Sequence, residues 1–219
     1  MNNNVKMLTF ATREEWLQAR KNTIGGSDAS AVIGLNPYKT NVDLWLEKTG
    51  QVIPEDISDK PYVKFGTEAE PHMRELFKLD FPEYQVFYEE NNLFLNDKYP
   101  WGHYSADGWI LDKEGRFGIY EGKTTEILQS MHKEKWRDRL PDNYYTQLIH
   151  GFHITEAEFA ILKGRLKSVI DGLPYIQIKH YRIFRSEVED DIKYLEYSEE
   201  KFYQDVINRT RPALILPGF

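Results

Sequence analysis

Apolar and polar positions along this chain recur at two periods, and the switches between them divide it into elements. Thr12-Arg13-Glu14-Glu15 has the form of a capping box, Thr12 as N-cap with Glu15 three residues on, and predicts a helix to about Lys21. The glycine turn Ile24-Gly25-Gly26 leads into a short helix over 27–33 that Gly34 ends. A further helix over 41–49 stops at Gly50. The polar stretch 51–61 reads as a loop, and a longer helix follows over 66–79, with Met73, Leu76 and Phe77 as its apolar stripe. Short strands are expected over 84–88, 92–95 and 104–111, then a hairpin turn at Asp112-Lys113-Glu114-Gly115 and a return strand over 117–124. A helix over 143–155, strands over 158–165 and 175–184 separated by Asp171-Gly172-Leu173-Pro174, and a helix over 190–209 complete the series. Helices, an antiparallel-rich sheet, a helix, more strand and a last helix amount to a mixed α/β (α+β) core with helices on its faces.

At 219 residues, 41% hydrophobic and 14% aromatic, the chain suits one domain spanning 1–219 with a sizeable core. No apolar run approaches the ~18 residues of a membrane helix, and Met1-Asn2-Asn3-Asn4-Val5-Lys6 lacks a signal peptide's apolar stretch. Cysteine is absent, which excludes disulfides, thiolate zinc sites, cysteine nucleophiles and iron–sulfur clusters. A cytoplasmic location is expected. The net charge of −7 does not favour nucleic acid as a partner, but net charge says little about local distribution. Basic residues gather at Lys133, Lys135, Arg137 and Arg139, at Lys163, Arg165 and Lys167, and at Lys179, His180, Arg182 and Arg185; each run reads as a solvated face before it reads as a DNA site.

The chemistry is concentrated in Phe117-Gly118-Ile119-Tyr120-Glu121-Gly122-Lys123-Thr124. Side chains two apart on a strand share a face, so Glu121 and Lys123 project together from an otherwise apolar strand, which is costly without partners or a task. Gly122 between them permits a close approach to the backbone. Taken alone, the pair reads as a half-exposed ion pair. The preceding strand changes that, because Asp107 precedes the turn whose return strand carries Glu121, and pairing brings both carboxylates to one place. Hard Mg²⁺ takes one or two carboxylates plus water and phosphate oxygens, and a nearby lysine can orient the attacking water.

Asp107…Glu121-Gly122-Lys123 resembles the PD-(D/E)XK nuclease signature, with Ala106 in place of the proline. Four further stretches resemble the lambda-exonuclease-like branch of that superfamily, the YqaJ viral recombinase family. They are Arg20 with Ile24-Gly25-Gly26-Ser27-Asp28, Gly66-Thr67-Glu68-Ala69-Glu70-Pro71, Tyr104-Ser105-Ala106-Asp107-Gly108 and Tyr144-Tyr145-Thr146-Gln147, in the family's order over about two thirds of the chain. Nothing beyond about residue 155 matches. The resemblance implies a restriction-endonuclease-like core with a mixed central sheet flanked by helices.

The resemblance also implies roles. Asp107 and Glu121 are the central metal ligands, with the Gly122 carbonyl beside them and Glu70, chosen over Glu68 because it precedes Pro71, as an additional acid. The ion is Mg²⁺, with Mn²⁺ as an alternative. Lys123 positions the nucleophilic water, and Gln147 orients it. Arg20, Ser27 and Ser105 form a pocket for a 5′-terminal phosphate, and Tyr144 joins the DNA-binding set. Elementary chemistry points the same way for the pocket, since amides at a glycine-led helix start and an arginine fork both attract anions. The competing role for Ser27 is a plain N-cap. His150 and His153, on one helix face, are expected to serve structure or DNA contact rather than metal ligation. Trp101, Trp109 and Trp136 are candidates for stacking on bases, Trp109 being the one that also suits the core.

The function so implied is 5′→3′ exonucleolytic cleavage of double-stranded DNA in phage-type recombination. A restriction-type endonuclease would share every catalytic residue, and a non-catalytic DNA- or partner-binding module is the reading from another class. The implied partners are duplex DNA, a single-strand annealing recombinase and further copies of the chain, a ring-shaped trimer among the possibilities. The apolar tail Leu214-Ile215-Leu216-Pro217-Gly218-Phe219 suits either a subunit interface or packing on its own domain.

Overall fold

The computed structural model describes residues 4–127 and 134–216. Strand β1 (Val5–Thr9) leads into helix α1 (Arg13–Arg20), whose first turn closes the expected capping box between Thr12 and Glu15. The two-residue β2 (Ile24–Gly25) runs directly into α2 (Gly26–Val32). Next come α3 (Asn41–Lys48), α4 (Pro61–Asp80), β3 (Gln85–Phe87), β4 (Asn92–Asn96), β5 (Gly102–His103), β6 (Gly108–Leu111) and β7 (Phe117–Glu126). The chain ends with α5 (Asp142–Thr155), β8 (Phe159–Ile170), β9 (Leu173–Phe184) and α6 (Glu189–Ile207).

The central sheet has the order β3-β6-β7-β8-β9. Its β7–β8 pair is parallel and its other pairs are antiparallel, so the sheet is mixed, as expected. The parallel pair is bridged by α5, the crossover that parallel strands require. Alternation along β7 then sorts the core. Ile119 faces a cluster with Leu148 and Phe152 of α5 and Leu162 of β8. Tyr120 faces the opposite side, against Phe77 of α4 with Ile110, Phe159 and Ile161. One strand therefore separates two packed layers, and Glu121 and Lys123 emerge where both layers end.

Several elements differ from expectation. Helix α4 starts at Pro61 rather than near 66, because proline's fixed φ and missing N–H suit a first helical turn. Met73 and Phe77 are buried, but Leu76 is exposed. Of the strand expected over 104–111 only β6 forms, because the peptide of Ala106 bonds to a side chain instead of a neighbouring strand. Asn92 Oδ1 accepts from Ala106 N at 2.9 Å, and Asn92 Nδ2 donates to Ala106 O at 2.9 Å. Strand β1, paired with β4, had no expectation attached to it.

The stretch expected as two separate strands around 171–174 is one long hairpin. Asp171 and Gly172 form its two-residue turn with φ of 51° and 77°, the left-handed geometry that matches strand twist and that glycine adopts freely. Trp101, Trp109 and Trp136 are all buried, which removes Trp101 and Trp136 from base stacking and leaves Trp109 in the core. Lys163 is likewise buried and paired with Asp80 at 3.1 Å, so it belongs to no DNA-facing run. Lys133 and the tail residues Pro217, Gly218 and Phe219 lie outside the described residues. Among the described residues no helix is long and apolar enough to cross a membrane.

Phe77 has no exposed surface, and its ring lies 4.9 Å from those of both Phe81 and Tyr120. Truncation leaves a cavity that surrounding aromatics cannot collapse into. Phe77→Ala should lower the unfolding free energy by about 3–5 kcal/mol, read from the urea midpoint at unchanged slope; a loss within experimental error would mean α4 is not part of the cooperative core.

Candidate active site

The broken strand before β6 is what places Asp107. Asn92 holds the Ala106 peptide on one side, and Arg74 of α4, stacked 3.7 Å from the Tyr88 ring centroid, donates to the Asp107 carbonyl at 2.6 Å on the other. The Asp107 carboxylate then reaches across to β7, where Oδ2 accepts from the Gly122 amide at 2.9 Å. Antiparallel pairing of β6 with β7 thus sets the two acids side by side, as the sequence reading anticipated.

Glu121 is buried, and both its oxygens are engaged. Oε1 accepts from Lys123 Nζ at 2.6 Å and from Gln147 Nε2 at 2.5 Å, while Oε2 accepts from the Tyr104 hydroxyl at 2.7 Å. Glu70 comes from α4 and lines the same cavity, whereas Glu68 points to a separate groove; the choice between them fits the geometry. Pro71 cannot donate to the Thr67 carbonyl, so the turn carrying Thr67 and Glu70, both cavity-lining, lacks one helix bond.

The cavity, about 360 Å³, is lined by all three carboxylates with Lys123 and Gln147, and also by Arg20, Ser27 and Ser105. Eight of the residues singled out in the sequence therefore converge. Gly122 contributes its backbone, and Tyr144 stands outside the lining, its ring centroid 5.5 Å from Lys123 Nζ. Helix α2 begins one residue earlier than expected with Gly25 as N-cap, so Ser27 is not a cap. With only seven residues in α2, anion attraction at this end of the cavity falls mainly to Arg20. The Ser105 hydroxyl is buried with no hydrogen-bond partner, a donor left over for whatever enters.

Charge is crowded here. Burial pushes the Asp107 carboxyl well above the usual carboxylate range, Glu121 pushes it further, and Lys123 only partly opposes them. Glu70 is raised for the same leading reason, burial. Burial disfavours the Lys123 ammonium, but Glu121 and Asp107 outweigh it and hold the proton on. Tyr104 stays a phenol donor, its ionisation opposed by burial and by Glu121. Three hard carboxylates around one space, two of them resisting ionisation, are a donor set that fits a divalent cation such as Mg²⁺.

Trp16, which the sequence reading passed over, and His103 support the arginine. Arg20 Nε donates to His103 Nε2 at 3.1 Å, and its guanidinium sits 3.9 Å from the Trp16 ring centroid. Burial, then Arg20, pushes the His103 pKa far down, so the ring is neutral and Nε2 is the acceptor. His103 Nδ1 then donates to Thr23 Oγ1 at 2.7 Å. Gly25 has to be a glycine: a Cβ there would stand 2.7 Å from His103 Nε2. The glycine turn was visible in the sequence; the histidine 78 positions away that requires it was not.

A family model described as YqaJ-like viral recombinase domain matches residues 15–158. The chain belongs to this family. The protein from Bacillus subtilis (strain 168) called Uncharacterized protein YqaJ is 32% identical over 185 residues, 81% of this chain. The aligned part makes up 55% of that relative's length, so the chain spans about half of it. Among solved structures, an alkaline exonuclease (LHK-Exo) from Laribacter hongkongensis superposes with a TM-score of 0.63 over 90% of this chain and 96% of its own, at 19% identity. The same protein in complex with dAMP matches equally well. At that identity the likeness establishes the fold, the restriction-endonuclease-like one. The YqaJ-like match ends near residue 158, so β8, β9 and α6 lie beyond it, although β8 is the parallel partner that supports Glu121 on β7.

A carboxyl whose folded pKa is raised binds its proton more tightly folded than unfolded. Metal-free stability therefore rises as the pH falls through the folded pKa of Asp107 toward its unfolded value of about 3.9, and is penalised at neutral pH. Asp107→Asn keeps an acceptor for Gly122 and removes the charge. It should raise the thermal midpoint of the metal-free protein at pH 7 by roughly 2–4 °C per kcal/mol relieved and flatten its dependence on pH. A lowered midpoint would show that Asp107 is held comfortably as an anion.

Proposed function

We propose that this chain is a Mg²⁺-dependent nuclease that degrades double-stranded DNA 5′→3′ from phosphorylated ends. The observation that carries the reading is that Arg20, Ser27 and Ser105 share one cavity with Glu70, Asp107, Glu121 and Lys123. An anion-binding end and a carboxylate end in the same space suit a terminal phosphate held while a neighbouring phosphodiester is attacked. The structure of the alkaline exonuclease in complex with dAMP lends support, since a nucleotide monophosphate is the product such cleavage releases.

In this reading Asp107, Glu121 and the Gly122 carbonyl hold the ion, with Glu70 as the outer acid and Mn²⁺ able to take its place. When bound, the metal supplies Lewis-acid stabilisation of charge on the phosphoryl group. The chain's own residues do the rest. Lys123, kept as an ammonium, donates to the attacking water or to a phosphate oxygen rather than accepting a proton. Gln147, fixed by Glu121, holds a second donor toward the same point. Tyr104 keeps one Glu121 oxygen oriented, so the carboxylate cannot rotate away. Arg20, braced by Trp16 and His103, grips the 5′ phosphate with its terminal nitrogens, and the free Ser105 hydroxyl completes the pocket; Tyr144 lies along the strand path beside Lys123. Assembly of several copies into a ring around duplex DNA, and action beside a single-strand annealing protein, belong to the same proposal. The exposed Val169, Ile170 and Leu173 at the β8–β9 hairpin tip offer an apolar surface for self-association. A monomeric mass in solution at high concentration would remove the ring.

Linear duplex with and without 5′ phosphate, beside closed circular DNA, in Mg²⁺, tests the reading. Phosphorylated linear DNA should be lost fastest, from the 5′ ends, and Lys123→Ala should slow this by about 10²–10³-fold. Cutting of the circle would identify an endonuclease instead. Silence on every substrate would leave a DNA- or partner-binding module.

A further inference from the structure

One turn along α5 from Gln147, three titratable side chains meet with no solvent access. His150 and His153 lie on one face of α5, and Glu199 faces them from α6; each has 0% of its surface exposed. The polar atoms are poorly matched. His150 Nε2 stands 2.8 Å from the His103 carbonyl, which can only accept, so this nitrogen carries the hydrogen. In a neutral ring Nδ1 is then a bare lone pair, and it points at Glu199 Oε1 from 2.7 Å. Neither nitrogen of His153 makes a hydrogen bond, and neither does Glu199 Oε2; His153 Nε2 and Glu199 Oε2 approach to 3.1 Å but out of line.

Leaving buried polar atoms unpaired is costly, so this arrangement calls for something between them. One extra proton on His150 would pair it with Glu199 Oε1 and leave His153 and Oε2 as they are. A cation would engage His150 Nδ1, His153 Nε2 and a Glu199 oxygen together. We propose that His150, His153 and Glu199 supply three ligands of a buried zinc site, separate from the carboxylate site in the cavity, with a trapped water as the fourth donor. Two imidazoles and one carboxylate are a zinc donor set rather than a magnesium one, and the three donor atoms already lie within 4.8 Å of one another. Tetrahedral coordination at about 2.0–2.1 Å spaces donors roughly 3.3 Å apart. The His153–Glu199 approach is close to that, and the His150–Glu199 contact opens by about half an ångström. The His150 N–H on a backbone carbonyl is the outer contact that fixes a zinc-bound histidine's tautomer.

Such a site ties α5, which carries Gln147, to α6, and through the His103 carbonyl to the strand whose histidine braces Arg20. The sequence reading favours structure or DNA contact for these histidines because the nearby site offers hard carboxylates; the third donor, Glu199, is 46 positions beyond His153.

The test uses the full chain without a histidine tag, stripped with a strong chelator and titrated with ZnCl₂ against a chromophoric competitor. The Asp107→Asn variant is used to weaken binding at the cavity. That variant should still take up about one equivalent of zinc, as one closed site requires, and its thermal midpoint should rise on loading. His153→Gln in the same background, folded by circular dichroism, should bind roughly 100-fold more weakly or worse, beyond the effect of outer-shell changes. Absence of tight binding by Asp107→Asn, or equal binding by the His153→Gln double variant, would overturn the site. Should the double variant not fold, Co²⁺ loading of Asp107→Asn decides: an intense tetrahedral visible spectrum supports the site, and a weak octahedral spectrum or none overturns it.

Discussion

The carboxylate of Glu121 is the point from which the site is organised. A buried anion in the middle of a strand is tolerated only when donors surround it, and three do: Tyr104 before the broken strand, Lys123 on the same strand, and Gln147 on the crossover helix. Each donor fixes a segment. Tyr104 and Asn92 together hold the stretch that delivers Asp107, and Gln147 locks α5 over the sheet. Gly26 lets α2 approach so closely that a Cβ would lie 3.0 Å from Gln147 and 3.1 Å from Tyr104. Truncating any one donor leaves the acid under-satisfied, so the three act as a unit.

The same crowding explains why the site suits a cation. Asp107, Glu70 and Glu121 cannot all ionise cheaply around one small space with a single ammonium among them. An ordinary protein would replace one acid. Here the acids are retained, and Asn92, Arg74 and the Gly122 amide hold the Asp107 segment in place despite the repulsion. This is local strain of an electrostatic kind, relieved by binding rather than by packing.

How much of this could be read from residues alone depended on range. The capping box at Thr12, the hairpin turn at 112–115 and the two-residue spacing of Glu121 and Lys123 are local, and each stands as expected. The choice of Glu70 over Glu68 came from a motif and is matched by the cavity lining. What was illegible is non-local. The break before Asp107 depends on Asn92, whose amide replaces a strand neighbour. The brace on Arg20 depends on Trp16 and His103, from a helix and a strand that no spacing connects. Trp101 and Trp136 stood as candidates for base stacking because an aromatic's burial is set by what packs over it. The hairpin at Asp171-Gly172 was missed although its turn signal was present, because Ile170, Leu173 and Tyr175 are exposed and do not give the alternation of a half-buried strand.

The acidic balance of the chain bears on how it would meet DNA. A net charge of −7 repels a polyanion at a distance, so attraction has to be local. Arg13 and Arg20 both lie beside Trp16 at one end of the cavity, and Lys123 stands at the other, with the carboxylates between. Without a cation the middle of that path is the most negative part of it. A bound divalent cation would offset most of that charge where a phosphodiester must sit, while the acidic exterior continues to repel the rest of the duplex. The proposed selectivity for an end would follow from this distribution more naturally than from a broad basic surface, because only a phosphate that reaches the cavity would find a net attraction.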